Sequence, residues 1–257
     1  MDLGLEGKCA IVCAASKGLG RAIAEALARE KARVLICARS EADLRQAAGE
    51  MGARWVVADV SREDERVKLV DEALKVLGGV DILVNNAGGP PVGPFESFTT
   101  EAWRAAFELN FLSFVHLTQL VLPEMKESGW GRIIRIASYA ALEAVPGLML
   151  SHGVRPSVLS WTRALAREVA RFNIGLVAVC PGLFYTDRVK GIVKTRSEKE
   201  GRPADDILRD WVSEIPMGRM GDPKEMGDLV SFLASPRAAF ITGSAVVIDG
   251  GIMRRLI

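Results

Sequence analysis

Within the stretch SHGVR, Ser151 and Arg155 stand four residues apart, the spacing that brings two side chains together on one helix face. A hydroxyl at such a place can orient a carbonyl, and a guanidinium can hold an oxygen-rich group in a positive field. Neither is an effective acid or base at neutral pH, because serine is a very weak acid and arginine keeps its proton. His152 lies beside Ser151, and a free imidazole titrates near ~6.5. It points roughly 100° round the helix from Ser151, off the face that would do the chemistry. The two tyrosines are Tyr139, at the end of a strand-like run, and Tyr185, in a loop that could swing inward. Water is the remaining source of a proton. Pro156 follows Arg155 directly, and proline is comfortable only in a helix's first turn. A late helix start is therefore expected, with SHGV in an irregular opening turn.

A second group of residues suits a phosphate. Ser16-Lys17-Gly18-Leu19-Gly20 joins the strand-like KCAIVCAA (8–15) to the helix-like GLGRAIAEALAREKA (18–32). Gly18 and Gly20 let a pyrophosphate approach the free backbone N–H groups and positive dipole of the helix start. The second strand-like run ends in Ala38-Arg39-Ser40 and carries no acid there. An acid at that point would hydrogen-bond a ribose 2′-hydroxyl and repel a 2′-phosphate. Lys17, Arg39 and Ser40 instead suit a 2′-phosphate, which favours NADP(H) over NAD(H).

These residues need a frame, and the apolar pattern supplies one. Strand-like runs at 8–15, 33–39 and RWVVADV alternate with helical stretches, the second of which follows Ser40 and stops near Gly49 or Gly52. VDILVNNAGG, GRIIRIASY, NIGLVAVCPG and SAVVIDGG read as four further strands. A long helix is expected from Thr99 to about Glu127, with Pro123 as its kink or break. Nearly continuous apolar strands alternating with helices describe a parallel sheet covered on both faces. The expectation is a single α/β domain over 1–257, a Rossmann-type doubly wound parallel sheet of about seven strands with helices on both faces. The polar stretch 183–222 breaks the rhythm and reads as a substrate lid with short helices.

Composition narrows the function classes. A net charge of +1 offers no electrostatic footprint for nucleic acid. MDLGLEGK does not read as a signal peptide, and no apolar run reaches the roughly 20 residues of a membrane span. The expected location is the cytoplasm, with neither membrane nor nucleic acid as partner. Cys9, Cys13, Cys37 and Cys180 fall in strand-like runs without C-x-x-C pairs, so buried free thiols are expected and no metal site.

With NNAG at Asn85–Gly88 the chain resembles the short-chain dehydrogenase/reductases, most nearly their 3-oxoacyl-carrier-protein reductase branch. The resemblance spans CAASKGLG, the ADV around Asp59, the LN of Asn110, IIRIAS ending at Ser138, Pro181-Gly182 with Thr186 beyond, and ITGSAVVIDGG. It implies that Asp59 and Val60 bind adenine, that Asn86, Ala87 and Gly88 line the adenosine ribose side, and that Pro181, Gly182 and Thr186 lie at the carboxamide end. It implies that Ser138 orients a substrate carbonyl and that Asn110 holds a water in a proton relay. One departure is Cys13-Ala14 where the family has Thr-Gly, so any positive φ there would strain Ala14.

The larger departure is at the proton-handling pair. Thirteen residues beyond Ser138, the family's tyrosine falls on Ser151, and its lysine falls on Arg155. The implied function is an NADP(H)-dependent oxidoreductase interconverting a carbonyl or acyl thioester and an alcohol, with weakened catalysis or a substitute donor. A non-catalytic NADP(H)-binding sensor or assembly partner is the rival reading. Between Arg188 and Arg202 the lid carries six basic residues against two acids. These suit an acidic carrier, although a solvated helix balanced by Asp205, Asp206, Asp210 and Glu214 is the favoured reading. FLSFVHLTQLVL is apolar over too much of its circumference for a free surface, and SVLSWTRALAREVA carries Trp161. By resemblance these two helices form the interfaces of a homotetramer.

Overall fold

Residues 1–255 are described by the computed structural model. Seven strands alternate with helices: β1 (Cys9–Cys13), α1 (Gly18–Arg29), β2 (Arg33–Ala38), α2 (Glu41–Met51), β3 (Arg54–Val57), α3 (Glu63–Leu77) and β4 (Ile82–Asn85) form the first half. The second half contains α4 (Thr100–Phe107), α5 (Ser113–Glu127), β5 (Gly131–Ile136), α6 (Met149–Val169), β6 (Ile174–Pro181), α7 (Asp187–Glu200), α8 (Ala204–Ser213), α9 (Pro223–Leu233) and β7 (Ser244–Ile248). All pairs are parallel, in the order β3-β2-β1-β4-β5-β6-β7. Strand order reverses between β1 and β4, which opens a crevice at the carboxyl ends of the strands.

Period-two alternation sorts the strand residues between two apolar layers. Ala10, Val12, Val34, Ile36, Ile82 and Val84 face α1, α2 and α9 through Ile23, Leu27, Leu44, Met226 and Val230. Cys9, Ile11, Cys13, Leu35, Cys37 and Leu83 face α3, α5 and α6 through Leu69, Leu117, Val121 and Val169. All four cysteines are free and buried, as their strand positions predict.

Ser40 caps α2, its Oγ accepting from the Asp43 amide at 3.5 Å, and Gly52 ends that helix in the left-handed region. Thr99 caps α4. The helical run Thr100–Glu127 has the length and mean hydropathy, 1.3, of a membrane span. Its Phe114, Leu117, Val121 and Met125 are buried in the core.

Three expectations change. The break in the long helix is a π-turn at Glu108–Leu112, one residue wider than an α-turn, while Pro123 is carried inside α5. α6 begins at Met149 and continues through Pro156, so Ser151 to Val154 are regular helix and not an irregular opening turn. Pro156 is exposed, so the carbonyl left without its N–H partner lies on the solvent side. β5 stops at Ile136, before Ser138 and Tyr139, because Tyr139–Ala141 turns into a 3-10 helix capped by Ser138.

Candidate active site

The glycine turn leaves β1 through Ala14, whose φ of 49° is the strained left-handed conformation expected there. A side chain at Gly20 would collide with the turn itself, its Cβ lying 2.4 Å from the Ala14 carbonyl oxygen and 2.6 Å from Asn86 Nδ2. Asn86 spends that Nδ2 on Cys13 and Ala14, donating to their carbonyls at 3.2 and 3.3 Å. Its amide thus braces the turn from the end of β4. α1 starts with no side-chain cap and no acid in its first turn, which leaves its N–H groups open to an anion. Gly18 lies against Thr186, so the residue that precedes α7 meets the turn.

Around the end of β2, Arg39 is exposed and Lys17 is loosely paired with Asp43 at 3.6 Å. Asp59 accepts from the Ser61 amide and hydroxyl through Oδ1, at 2.9 and 2.7 Å, and its own amide donates to Glu65. Asp59 Oδ2 has no partner among the described residues. Val60, the next residue, is held through its carbonyl by Arg66 Nη1 at 2.9 Å.

At the other end of the crevice, α6 packs on the Tyr139–Ala141 turn and on β6. Arg155 is 7% exposed and donates from Nη1 to Ile136 O at 3.1 Å and Ala137 O at 2.5 Å. Its Nη2 donates to Asn110 Oδ1 at 3.2 Å. Asn110 is 1% exposed within the π-turn, and its Nδ2 donates to Ala106 O. The π-turn, β5 and α6 thus converge on one guanidinium beside Ser138. Burial, with Arg188 nearby, pulls Arg155 down to about 10, far enough above neutrality to keep its charge. Burial also pushes the neighbouring Cys180 thiol up to about 11, so that thiol stays protonated at neutral pH.

Ser151 sits one turn before Arg155 and is 7% exposed. Ser138 Oγ accepts from the Ala140 amide at 3.1 Å, which leaves its own proton to donate. His152 is committed elsewhere: Nδ1 lies 2.8 Å from Ala140 O, and Nε2 accepts from the Val145 amide at 2.8 Å. The imidazole ties the loop before α6 in place and has no free nitrogen for substrate. Tyr139 is buried near Glu214, Glu143 and Asp249, and burial followed by those acids raises its pKa. Tyr185 is half exposed with Lys190 over its ring.

Residues 13–253 match the family model described as Enoyl-(Acyl carrier protein) reductase. The chain belongs to the short-chain dehydrogenase/reductase family. Within that family it is 35% identical to the D-beta-hydroxybutyrate dehydrogenase of Cupriavidus necator, over 96% of this chain and 98% of the relative. It is 34% identical to a 3-oxoacyl-carrier-protein reductase of Vibrio cholerae, over 97% and 99% of the two chains. Among solved structures, the L-sorbose reductase of Gluconobacter frateurii, complexed with NADPH and L-sorbose, superimposes with a TM-score of 0.95. It is 31% identical, and all of both chains is covered.

In this short-chain dehydrogenase/reductase Arg155 joins Asn110 to the carboxyl end of β5, where Ser138 follows Ala137, and Ser151 lies one turn before Arg155 on α6. Pro181 ends β6, Gly182 follows it, and Thr186 directly precedes α7. Ala87 and Gly88 follow β4 by two and three residues, Ala87 packing against the apolar layers. Two further residues were not legible beforehand. Arg66, 3% exposed, joins Val60 O to Glu108 at 2.8 Å and to His116 Nδ1 at 3.1 Å, so one side chain ties Val60 to the π-turn of Asn110. Arg188 reaches from α7 to the loop after β4. A lone arginine in a charged helical stretch gives no sequence signal for either role.

Proposed function

We propose that the protein reduces a carbonyl compound to an alcohol with NADPH, Ser138 holding the carbonyl oxygen and Arg155 placing a fixed positive charge beside it. The observation that carries this reading is the buried Arg155 guanidinium, fixed by Ile136 O, Ala137 O and Asn110 at the strand end that presents Ser138. The NADPH complex of the sorbose reductase on a closely similar backbone supports the choice of cofactor.

The residues present fit that cofactor. The uncapped start of α1 and the side-chain-free Gly18 and Gly20 would take the pyrophosphate. Lys17, Arg39 and Ser40 would take the 2′-phosphate, Ser16 and Leu19 belong to the glycine turn, and Asp59 and Val60 would take the adenine. Asn86, Ala87 and Gly88 would line the ribose side, and Pro181, Gly182 and Thr186 the carboxamide end. When bound, NADPH supplies the hydride. Ser138 Oγ–H donates to the carbonyl oxygen, and Arg155 stabilises the charge that gathers there, in a site where a preorganised donor costs no reorganisation. With Ser151 too short and His152 committed, the proton comes from water admitted past the Ser151 hydroxyl.

The substrate would be a small ketone or an acyl thioester of the 3-oxoacyl kind. Four copies would assemble in the cytoplasm through the long helical run of α4, the π-turn and α5 and through α6, where Phe107 of α4, Leu112 of the π-turn and Met149 of α6 remain exposed. NADPH oxidation that yields stoichiometric alcohol from a 3-oxoacyl thioester or a small diketone tests the reading. One observation favours a second reading, a non-catalytic NADP(H)-binding sensor or assembly partner: no titrating proton donor occupies position 151. NADPH binding without any alcohol formation would select it.

A further inference from the structure

α3 turns an apolar stripe to the core through Leu69, Val70, Ala73 and Leu77, and the first place on that stripe is taken by an arginine. Arg66 is 3% exposed. A buried guanidinium is costly unless its bonds repay the lost water, and an apolar side chain of similar volume would fill the place without that cost. The bonds of Arg66 run in two directions. Nη1 carries two protons and donates both to Val60 O, at 2.9 Å, and to Glu108 Oε1, at 2.8 Å. Nε donates to His116 Nδ1 at 3.1 Å.

On one side, Val60 belongs to a loop with little freedom. The Asp59 amide donates to Glu65 at 2.6 Å, and Ser61 donates to Asp59 Oδ1 through both its amide and its hydroxyl. The Arg62 amide donates to Asp59 O at 2.9 Å. The loop is thus folded onto the first turn of α3, the turn that carries Arg66. On the other side, Glu108 opens the π-turn, and His116 lies on α5 just beyond it. Within the π-turn Asn110 accepts from Arg155 Nη2 at 3.2 Å. Hydrogen bonds and two residues of backbone therefore join Val60 to Arg155 through Arg66, Glu108 and Asn110.

We infer that Arg66 is a positioning residue: cofactor binding that settles Val60 is passed through Arg66 to the π-turn, and so steadies Asn110 and Arg155. This rests on the proposed NADPH-dependent reduction, and it names what readies that site. The probe is adenosine 2′,5′-bisphosphate, which carries the adenine and the 2′-phosphate and ends before the nicotinamide half. Amide hydrogen exchange of the full chain, read by mass spectrometry, follows the glycine turn (14–20), the Val60 loop (59–62) and the π-turn (108–112).

In the native protein the bisphosphate slows exchange in all three segments by about threefold or more. Arg66→Met, which fills the same space without a donor, keeps the protection of the first two and loses it in the π-turn. Arg66→Lys, which can still donate to Val60 O and Glu108, retains part of it. Should Arg66→Met not fold, Glu108→Ala cuts the same link from a partly exposed side chain and loses the π-turn protection alone. Turnover gives a second readout: Arg66→Met lowers kcat about fivefold, with KM for the carbonyl within about twofold of native. Protection of the π-turn that persists without the link would overturn the inference. So would a native π-turn indifferent to the bisphosphate while the glycine turn responds. Exchange needs no turnover, so failure of the reductase reading leaves this result decisive. Absence of protection in all three segments would remove the cofactor reading, and the inference with it.

Discussion

Ser151 and Arg155 were legible as a pair one helical turn apart, but the partners of Arg155 were not. Spacing places two side chains on a face, whereas the carbonyls of Ile136 and Ala137 come from a strand end nearly twenty residues away in sequence. The guanidinium remains charged up to about 10 and loses its proton only above that. With no tyrosine at 151, kcat is expected to stay level from about pH 7 to 9 and to fall above about 10, in a profile of initial rates. An inflection between 7 and 9 would reveal a titrating donor that the site does not display. Ala14 shows a different kind of legibility. A motif that usually places glycine there foretold strain, and the structure has φ 49°. Ala14→Gly relieves it and is expected to add about 0.5–1 kcal/mol of stability in urea unfolding, part of the relief being offset by glycine's greater chain entropy. Asn86 was read as lining a ribose. Its side-chain nitrogen also braces the glycine turn, a contact between the end of β4 and the end of β1 that no local pattern encodes.

At the scale of elements, strand alternation and helix caps were plain in the sequence, because period and capping chemistry are local. The π-turn was not, since inserting one residue into a helix shifts the apolar stripe only slightly. It nonetheless sets Asn110 facing Arg155. Pro156 misled for a physical reason: a missing N–H is costly inside a helix, but this one lies on the exposed side of α6. Pro156→Ala should therefore restore a helical hydrogen bond and raise stability by about 1–2 kcal/mol, read from the urea midpoint at constant m. Gly153, in the same turn, has the opposite outcome. A Cβ there would fall 2.3 Å from Trp103 Cζ3, so Gly153→Ala is expected to cost about 1–3 kcal/mol by overpacking α4 against α6. A neutral Gly153→Ala would mean that α4 moves freely and does not hold α6 in register.

Across the whole molecule, the fold class followed from β-α alternation, and the sheet order follows the right-handed crossover rule. What the sequence hid at this scale is electrostatic closure. Six basic residues in this stretch looked equivalent, yet pairing occupies several of them, while Arg188 donates to the Gly89 and Pro90 carbonyls. The apolar residues still exposed on α4, in the π-turn and on α6 argue for assembly, and light scattering is expected to give the mass of four chains. A single-chain mass would show that those faces stay bare. The most direct test of the central claim, that this altered site still reduces a carbonyl, is NADPH oxidation with alcohol formation. It would be measured side by side for the native protein and its Ser151→Tyr/Arg155→Lys variant. Substantial turnover by the native protein, comparable to that of the variant, is the predicted result. A native protein that binds NADPH and forms no alcohol, beside a variant that does, would contradict the account and leave a reductase frame without its proton donor.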